Sequence, residues 1–413
     1  MVKVKPQSKV EYRIKRWMKD IALDLMFPRS YRAAARACPD PQTVVFLETK
    51  ESVMPVAMRH AYDRLVCETD FDVQFVTLRN TESSLSDYFK HCRNAVPVLA
   101  RARCIFLCDS SDLVSALPLR EETRVVQLWH ACGAFKKWGM STADSLFGES
   151  RADQLRHPFY GNLDLVTVSA PEVVWAYEEA MHLGAENGAP GVVQPVGVSS
   201  TDVYFDEGFQ ERSRRQLEEV VPQAVGKKVV FYAPTFRGRV RKAQGPDYLD
   251  VEELARTLGD EWVLVVRHHP YVSHPPAIPD HLAAFAVDVS GDARLSIEGL
   301  LCASDVLVTD YSSVVFEFSL FERPVCFFAP DRSDYGDWRG FYYDYDELAP
   351  GPVFEDSASM AAWIADAPEQ FDRARIQAFR EKFMSACDGH ATDRIFAFAF
   401  GEVPGRGATD ANE

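Results

Sequence analysis

Along the chain, short apolar runs alternate with longer stretches in which apolar residues recur every three to four positions. The first series of runs is Thr43-Val-Val-Phe-Leu47, Arg103-Cys-Ile-Phe-Leu107, Arg124-Val-Val-Gln-Leu128 and Asp164-Leu-Val-Thr-Val168. Short apolar runs separated by helix-length amphipathic segments predict a parallel sheet built from βαβ units. After Val193-Gln-Pro-Val-Gly197 comes a polar, charged stretch, Asp206–Lys228. A second series then begins: Lys228-Val-Val-Phe-Tyr232, Trp262-Val-Leu-Val-Val266, Phe285-Ala-Val-Asp-Val289, Asp305-Val-Leu-Val-Thr309 and Pro324-Val-Cys-Phe-Phe328. The pattern predicts an α/β protein with two doubly wound, Rossmann-like domains, one over residues 39–210 and one over 211–400. Such sheets bind ligands in the crevice beyond the carboxyl ends of their strands, so chemistry is expected just after each run.

A different pattern precedes the first strand. Ile14, Trp17, Met18, Ile21 and Leu25 recur at helical spacing, while Arg13, Lys15, Arg16 and Lys19 fall on other sides of the wheel. Residues 1–38 therefore read as a basic amphipathic arm. Its apolar stripe either packs on its own domain or lies in the interface of an anionic membrane surface. Charge sharpens that choice. Lys3, Lys5, Lys9, Arg13, Lys15, Arg16, Lys19, Arg29, Arg32 and Arg36 oppose only Glu11, Asp20 and Asp24, so residues 1–36 carry +7 within a chain of net charge −16. The acidic remainder argues against a nucleic-acid partner, since phosphate backbones are gripped by clustered cations.

Composition adds three constraints. At 413 residues, with 47% hydrophobic and 26% charged residues, the chain has the balance of a globular protein with two cores. No apolar stretch reaches spanning length and no secretory signal is evident, which predicts a protein kept inside the cell. The nine cysteines are scattered, several within apolar runs and none in a CxxC pair, and are expected to be reduced core residues. Residues 401–413 read as a flexible tail.

Several strand ends carry candidate chemistry. The run Val125-Val-Gln-Leu-Trp-His130 delivers a histidine, followed by Gly133 and the pair Lys136-Lys137. An imidazole can take a proton from a hydroxyl near neutral pH, and the lysines are candidates to hold acceptor phosphates. Trp262–Val266 leads into Arg267-His268-His269-Pro270. No carboxylate or thiol stands at ligand spacing around these histidines, which favours phosphate contact over a metal. Ala233-Pro-Thr235-Phe-Arg237-Gly238 offers a hydroxyl and a guanidinium that is either a phosphate ligand or a surface charge. The most informative stretch is Thr309-Asp310-Tyr-Ser312-Ser313-Val-Val-Phe-Glu317. Here a strand passes through a polar turn into a helix whose free N–H groups suit a diphosphate, with Glu317 in reach of ribose hydroxyls.

Taken in order, the segments Leu128-Trp-His-Ala-Cys-Gly-Ala-Phe-Lys-Lys-Trp-Gly139, Tyr232–Gly238, Arg267–Pro270, Thr309–Glu317 and Arg339-Gly-Phe-Tyr-Tyr-Asp-Tyr345 with Pro350-Gly-Pro352 resemble a known family. It is the CDP-glycerol glycerophosphotransferase family of teichoic-acid primases and polymerases, which includes ribitol-phosphate transferases. The likeness spans roughly residues 40–390. It departs at Ala131-Cys132, where Gly-Thr is frequent, and at Gly197–Asp202, where an arginine often precedes the acidic residue.

The resemblance implies a GT-B-like fold of two facing lobes, the first binding acceptor and the second a CDP-polyol. It implies that His130 deprotonates the acceptor hydroxyl and that His269 assists at the donor diphosphate, with Asp310, Ser312, Ser313 and Glu317 in the donor-binding turn. The expected partners are CDP-glycerol or CDP-ribitol, a lipid-linked polymer acceptor and an anionic membrane, with association into homo-oligomers left open. No cofactor or metal is expected, and the expected location is the cytoplasmic face of a bacterial membrane. Two rival readings stand beside it: a sugar transferase of the same fold using another nucleotide-sugar, and a non-catalytic, membrane-tethered binding subunit.

Overall fold

Twelve strands, all paired in parallel, form two six-stranded sheets in a computed structural model that describes residues 9–37, 40–145, 150–238, 243–332 and 340–401. Residues 1–8 and Cys38 of the arm, Arg339 of the last motif and the tail beyond Gly401 lie outside the described residues. The first sheet comprises β1 (Thr43–Glu48), β2 (Asp72–Thr77), β3 (Cys104–Leu107), β4 (Arg124–Gln127), β5 (Leu165–Thr167) and β6 (Val193–Gln194), in the order β2-β1-β3-β4-β5-β6. The second comprises β7 (Lys228–Ala233), β8 (Trp262–Val266), β9 (Ala286–Asp288), β10 (Val306–Thr309), β11 (Val325–Phe328) and β12 (Val353–Phe354), in the order β12-β11-β10-β7-β8-β9.

Every apolar run singled out in the sequence is a strand. Their continuous apolar character follows from burial on both faces: β1, β3, β8, β10 and β11 are buried at every position. The sequence reading missed β2 and β12. Both are edge strands, and Asp72-Val-Gln-Phe-Val-Thr77 mixes polar with apolar residues because every position stays at least partly exposed.

The strand order reverses once in each sheet, between β1 and β3 and between β7 and β10. At such a switch point the flanking crossovers go to opposite faces and leave a crevice at the carboxyl ends. The lobes meet at that end. Phe135, Cys132 and Tyr177 of the first share one apolar cluster with Phe316, Phe379 and Phe383 of the second. Main-chain pairing adds to the joint, since Lys136 and Phe341 form an antiparallel bridge, Lys137 N–H donates to the Gly340 carbonyl at 3.1 Å, and Tyr342 N–H donates to the Phe135 carbonyl at 3.1 Å. Gly133 is required here. It holds φ +60°, and a Cβ on it would lie 2.4 Å from the Phe316 ring.

The chain crosses to the second lobe at Asp206, where the helix Glu207–Val220 begins and packs on the helix Ile297–Ala303. One correction applies to the expected 211–400 domain. The last helix, Ala391–Phe400, returns to the first lobe, where Ile395, Phe396 and Phe400 cover Val44, Phe46 and Phe106.

The arm forms a helix (Lys9–Ile21), a π-helical turn (Ala22–Met26) and a second helix (Phe27–Ala34). Ala22, Leu23, Phe27 and Tyr31 anchor it in the core around the helix Leu85–Leu99. Most of the stripe read from the sequence points the other way: Ile14 is 52% and Trp17 62% exposed, Met18 and Leu25 are exposed as well, and Ile21 is half-buried. Among the described residues no helix is long and apolar enough to cross a membrane. Of the eight described cysteines, seven are buried and only Cys67 is exposed.

Candidate active site

Between the lobes, at the carboxyl ends of both sheets, lies a cavity of about 630 Å³. Eight of the twelve candidate residues line it: Gly133, His130, Lys136 and Lys137 from the first lobe, and Thr235, His269, Ser312 and Ser313 from the second.

His130 reaches the cavity because the chain turns sharply after β4. Trp129 takes a left-handed backbone, φ +60°, unusual for a bulky residue, and its N–H donates to Gln127 Oε1 at 3.2 Å. The indole stacks on Trp138, with centroids 4.3 Å apart, and lies against the His130 ring at 4.4 Å. His130 itself is exposed, and its Nδ1 lies 2.8 Å from the Cys108 carbonyl. A carbonyl only accepts, so Nδ1 carries the proton and Nε2 of the neutral ring is left as the base.

His269 has the opposite tautomer. Its Nδ1 accepts from the Tyr271 N–H at 3.2 Å, which leaves Nε2–H as a donor. Phe236 and Tyr271 pack on the ring at 5.0 and 4.5 Å. The neighbouring His268 is buried, and burial lowers its pKa, so it stays neutral inside the lobe.

Ser312 and Ser313 open the helix Val314–Ser319, where Ser312 Oγ accepts from the Val314 N–H at 3.4 Å. The four remaining candidates sit elsewhere, each for a physical reason. Asp310 is buried and saturated: its carboxylate accepts from Thr235 N–H at 2.9 Å, Thr235 Oγ1 at 3.1 Å, Arg237 Nη1 at 2.9 Å and Tyr311 N–H. Arg237 is neither surface charge nor cavity ligand, because its guanidinium also makes a two-bond fork with Asp331 at 2.6 and 3.0 Å. These two residues form a strut that holds Thr235 against the turn at Ser312.

Arg267 donates to the Leu295 carbonyl away from the cavity, and burial pulls its pKa below the ordinary value. Glu317 faces the joint between lobes, where it accepts from the Tyr204 hydroxyl at 3.5 Å. Burial, reinforced by the charge of Glu298, pushes its carboxyl up to about 8, so it is a neutral acid at pH 7 rather than a partner for ribose.

Lys50, Asp109, Ser110, Gln154 and Tyr160 also line the cavity and were missed. Lys50 follows β1 by two residues, Asp109 follows β3 by two, and the pair form an ion pair. These are the two strands at the first sheet's switch point, so the rule that ligands bind there was the available signal.

Two facing Rossmann-like lobes with a basic imidazole on one wall and hydroxyl donors on the other define a two-lobed α/β transferase of the GT-B kind. The structure of the wall teichoic acid polymerase TagF shares this fold, with a TM-score of 0.70 at 22% identity over 95% of this chain and 98% of that one. The chain belongs to the CDP-Glycerol:Poly(glycerophosphate) glycerophosphotransferase family, which matches it over residues 30–401. Among its relatives is the teichoic acid ribitol-phosphate primase of Bacillus spizizenii, 31% identical over 381 residues, covering 90% of this chain and 95% of the primase. The teichoic acid poly(ribitol-phosphate) polymerase of the same organism is 35% identical over 298 residues, covering 72% of this chain but 46% of the polymerase.

Proposed function

We propose that the chain transfers a polyol-phosphate, glycerol- or ribitol-phosphate, from a CDP-linked donor to a hydroxyl of a lipid-linked teichoic-acid-like acceptor and releases CMP. The observation that carries this reading is the charge of the cavity. In a chain of net charge −16, its lining collects Lys50, Lys136 and Lys137 against a single carboxylate, Asp109, which pairs with Lys50, and adds the neutral imidazoles of His130 and His269. A pocket of that sign suits an anionic donor and an anionic acceptor brought together.

In the proposed reaction the acceptor hydroxyl oxygen attacks the phosphorus that bears the polyol. His130 Nε2 takes the hydroxyl proton, the new P–O bond forms, and the bond to CMP breaks. His269 Nε2–H and the hydroxyls of Ser312 and Ser313 oppose the charge that grows on the leaving phosphate. The CDP-polyol is the substrate, and the reading calls on no cofactor or metal.

The exposed stripe of the arm supports a seat on the cytoplasmic membrane face. Ile14, Trp17 and Met18 stand out beside exposed Arg13, which suits an anionic bilayer. Exchanging Ile14 and Trp17 for glutamate is expected to abolish sedimentation with phosphatidylglycerol vesicles; undiminished sedimentation removes the membrane reading. The reaction is tested by incubating purified protein with CDP-glycerol or CDP-ribitol and a lipid-linked acceptor. CMP release and a product heavier by one polyol-phosphate are expected, with no turnover of UDP-sugars. Turnover of a UDP-sugar alone would overturn it.

A further inference from the structure

A second cavity, of about 420 Å³, opens between the arm and the first lobe. Leu23, Phe27, Leu85, Tyr88, Phe89 and Phe159 supply its apolar wall. Its cations are already matched. Arg16 pairs with Asp153, Lys19 with Asp112 at 2.9 Å, and His157 Nε2 lies 3.0 Å from Asp20 Oδ1. The cavity therefore has no spare positive charge for an anion, and its size falls in the range of ligand pockets. An apolar occupant fits it.

Two placements say which one. Phe159 lines both this cavity and the cavity between the lobes, and its carbonyl accepts from the Ser111 N–H at 3.0 Å, next to the cavity-lining Ser110. The two spaces thus share a wall on the side that presents His130 and the lysines. At the other end, the cavity is roofed by the helix Lys9–Ile21, through Arg16 and Lys19, whose neighbours Trp17 and Met18 are exposed. The apolar side of the cavity therefore runs from Leu23 and Phe27 of the arm to Phe159 at the edge of the reaction cavity, beneath a roof of ion-paired Arg16 and Lys19.

We propose that this cavity holds the proximal hydrocarbon chain of the lipid-linked acceptor, while the acceptor's phosphorylated end passes Phe159 toward Lys136, Lys137 and His130. The inference rests on the reading above that the acceptor is lipid-linked. The arm is then part of the acceptor site as well as a contact for the bilayer.

Direct binding tests it without turnover. Calorimetric titration of the full chain with farnesyl phosphate and isopentenyl phosphate compares one phosphate on a long and on a short chain. Farnesyl phosphate is expected to bind about a hundredfold more tightly, which burial of roughly three or four methylenes supplies. Phe89→Glu, and independently Leu85→Glu at the exposed rim, are expected to remove that difference and leave the affinity for CDP-glycerol unchanged. Equal affinities of the unmodified chain for the two phosphates overturn the proposal. So does a Phe89→Glu protein that loses vesicle binding yet keeps its chain-length preference, because the cavity would then serve the bilayer. Chain-length preference without any CMP release would leave this inference standing and defeat the transfer reading; release with no chain-length preference would do the reverse.

Discussion

The two lobes are built alike and equipped differently. Each is a six-stranded parallel sheet with one reversal of strand order, and each offers side chains from loops at its carboxyl edge. The first lobe holds its imidazole from behind: His130 is steered by a carbonyl and an indole and lines the cavity with its ring. The second encloses its charges. Arg237 is held between Asp310 and Asp331 beneath the turn, and what reaches the cavity is neutral hydroxyls and an imidazole N–H. On the proposed transfer, a lobe that removes a proton needs an accessible base, whereas one that grips a diphosphate gains from fixed donors and from keeping its own carboxylates covered.

The largest effect is expected at the open base. His130→Ala should lower the rate of CMP release by about 10²–10⁴-fold without moving the thermal midpoint, since the side chain is exposed. An undiminished rate would take His130 out of the chemistry and dissolve the contrast between lobes. In the second lobe the main effect should be on stability. Asp310→Ala leaves Arg237 paired with Asp331 but takes the acceptor from the Thr235 and Tyr311 N–H groups, and should cost about 1–3 kcal/mol in urea unfolding. A change under about 1 kcal/mol would mean that the strut is not holding the turn.

Glu317 gives a pH signature between these two. Its native carboxyl binds a proton up to about 8, against an ordinary 4.5, so the native state holds more protons than the unfolded one between those values. Stability from this group is present in full below the lower value and falls as pH rises through the window. Glu317→Gln, which mimics the neutral acid, should flatten the decline in melting temperature between pH 6 and 8; an unchanged slope would mean the group is ionised in the fold. The smallest effect is expected at Lys136, where Lys136→Met should raise KM for the acceptor roughly three- to tenfold with the donor KM unchanged. A change in donor KM instead would assign that lysine to the other substrate.

Much of the fold was legible because burial on both faces forces a continuous apolar run, and β1, β3, β8, β10 and β11 all carry one. β2 and β12 carry no such run because none of their positions is fully buried. At the site, His130 and His269 could be read because a histidine directly after a strand stands out. The roles expected of Arg237 and Glu317 could not be settled locally. Asp331, which claims Arg237, lies far along the sequence, and Tyr204, which meets Glu317, belongs to the other lobe. Charge pairing across the fold decides whether a polar residue faces a ligand, and spacing within one motif does not record it. Lys50 and Asp109 were in principle readable, since strand order was all that was lacking.

The return of the last helix makes the halves of this protein interdependent. Phe396 and Phe400 pack against Phe106 at 6.5 and 6.1 Å, so a fragment ending at Asp206 would carry the whole first sheet yet bare one of its faces to water. Neither half can be prepared as a self-sufficient piece by cutting at the crossing point. A nicked molecule would instead stay together as a complementing pair, with the helix Ala391–Phe400 serving as the clasp.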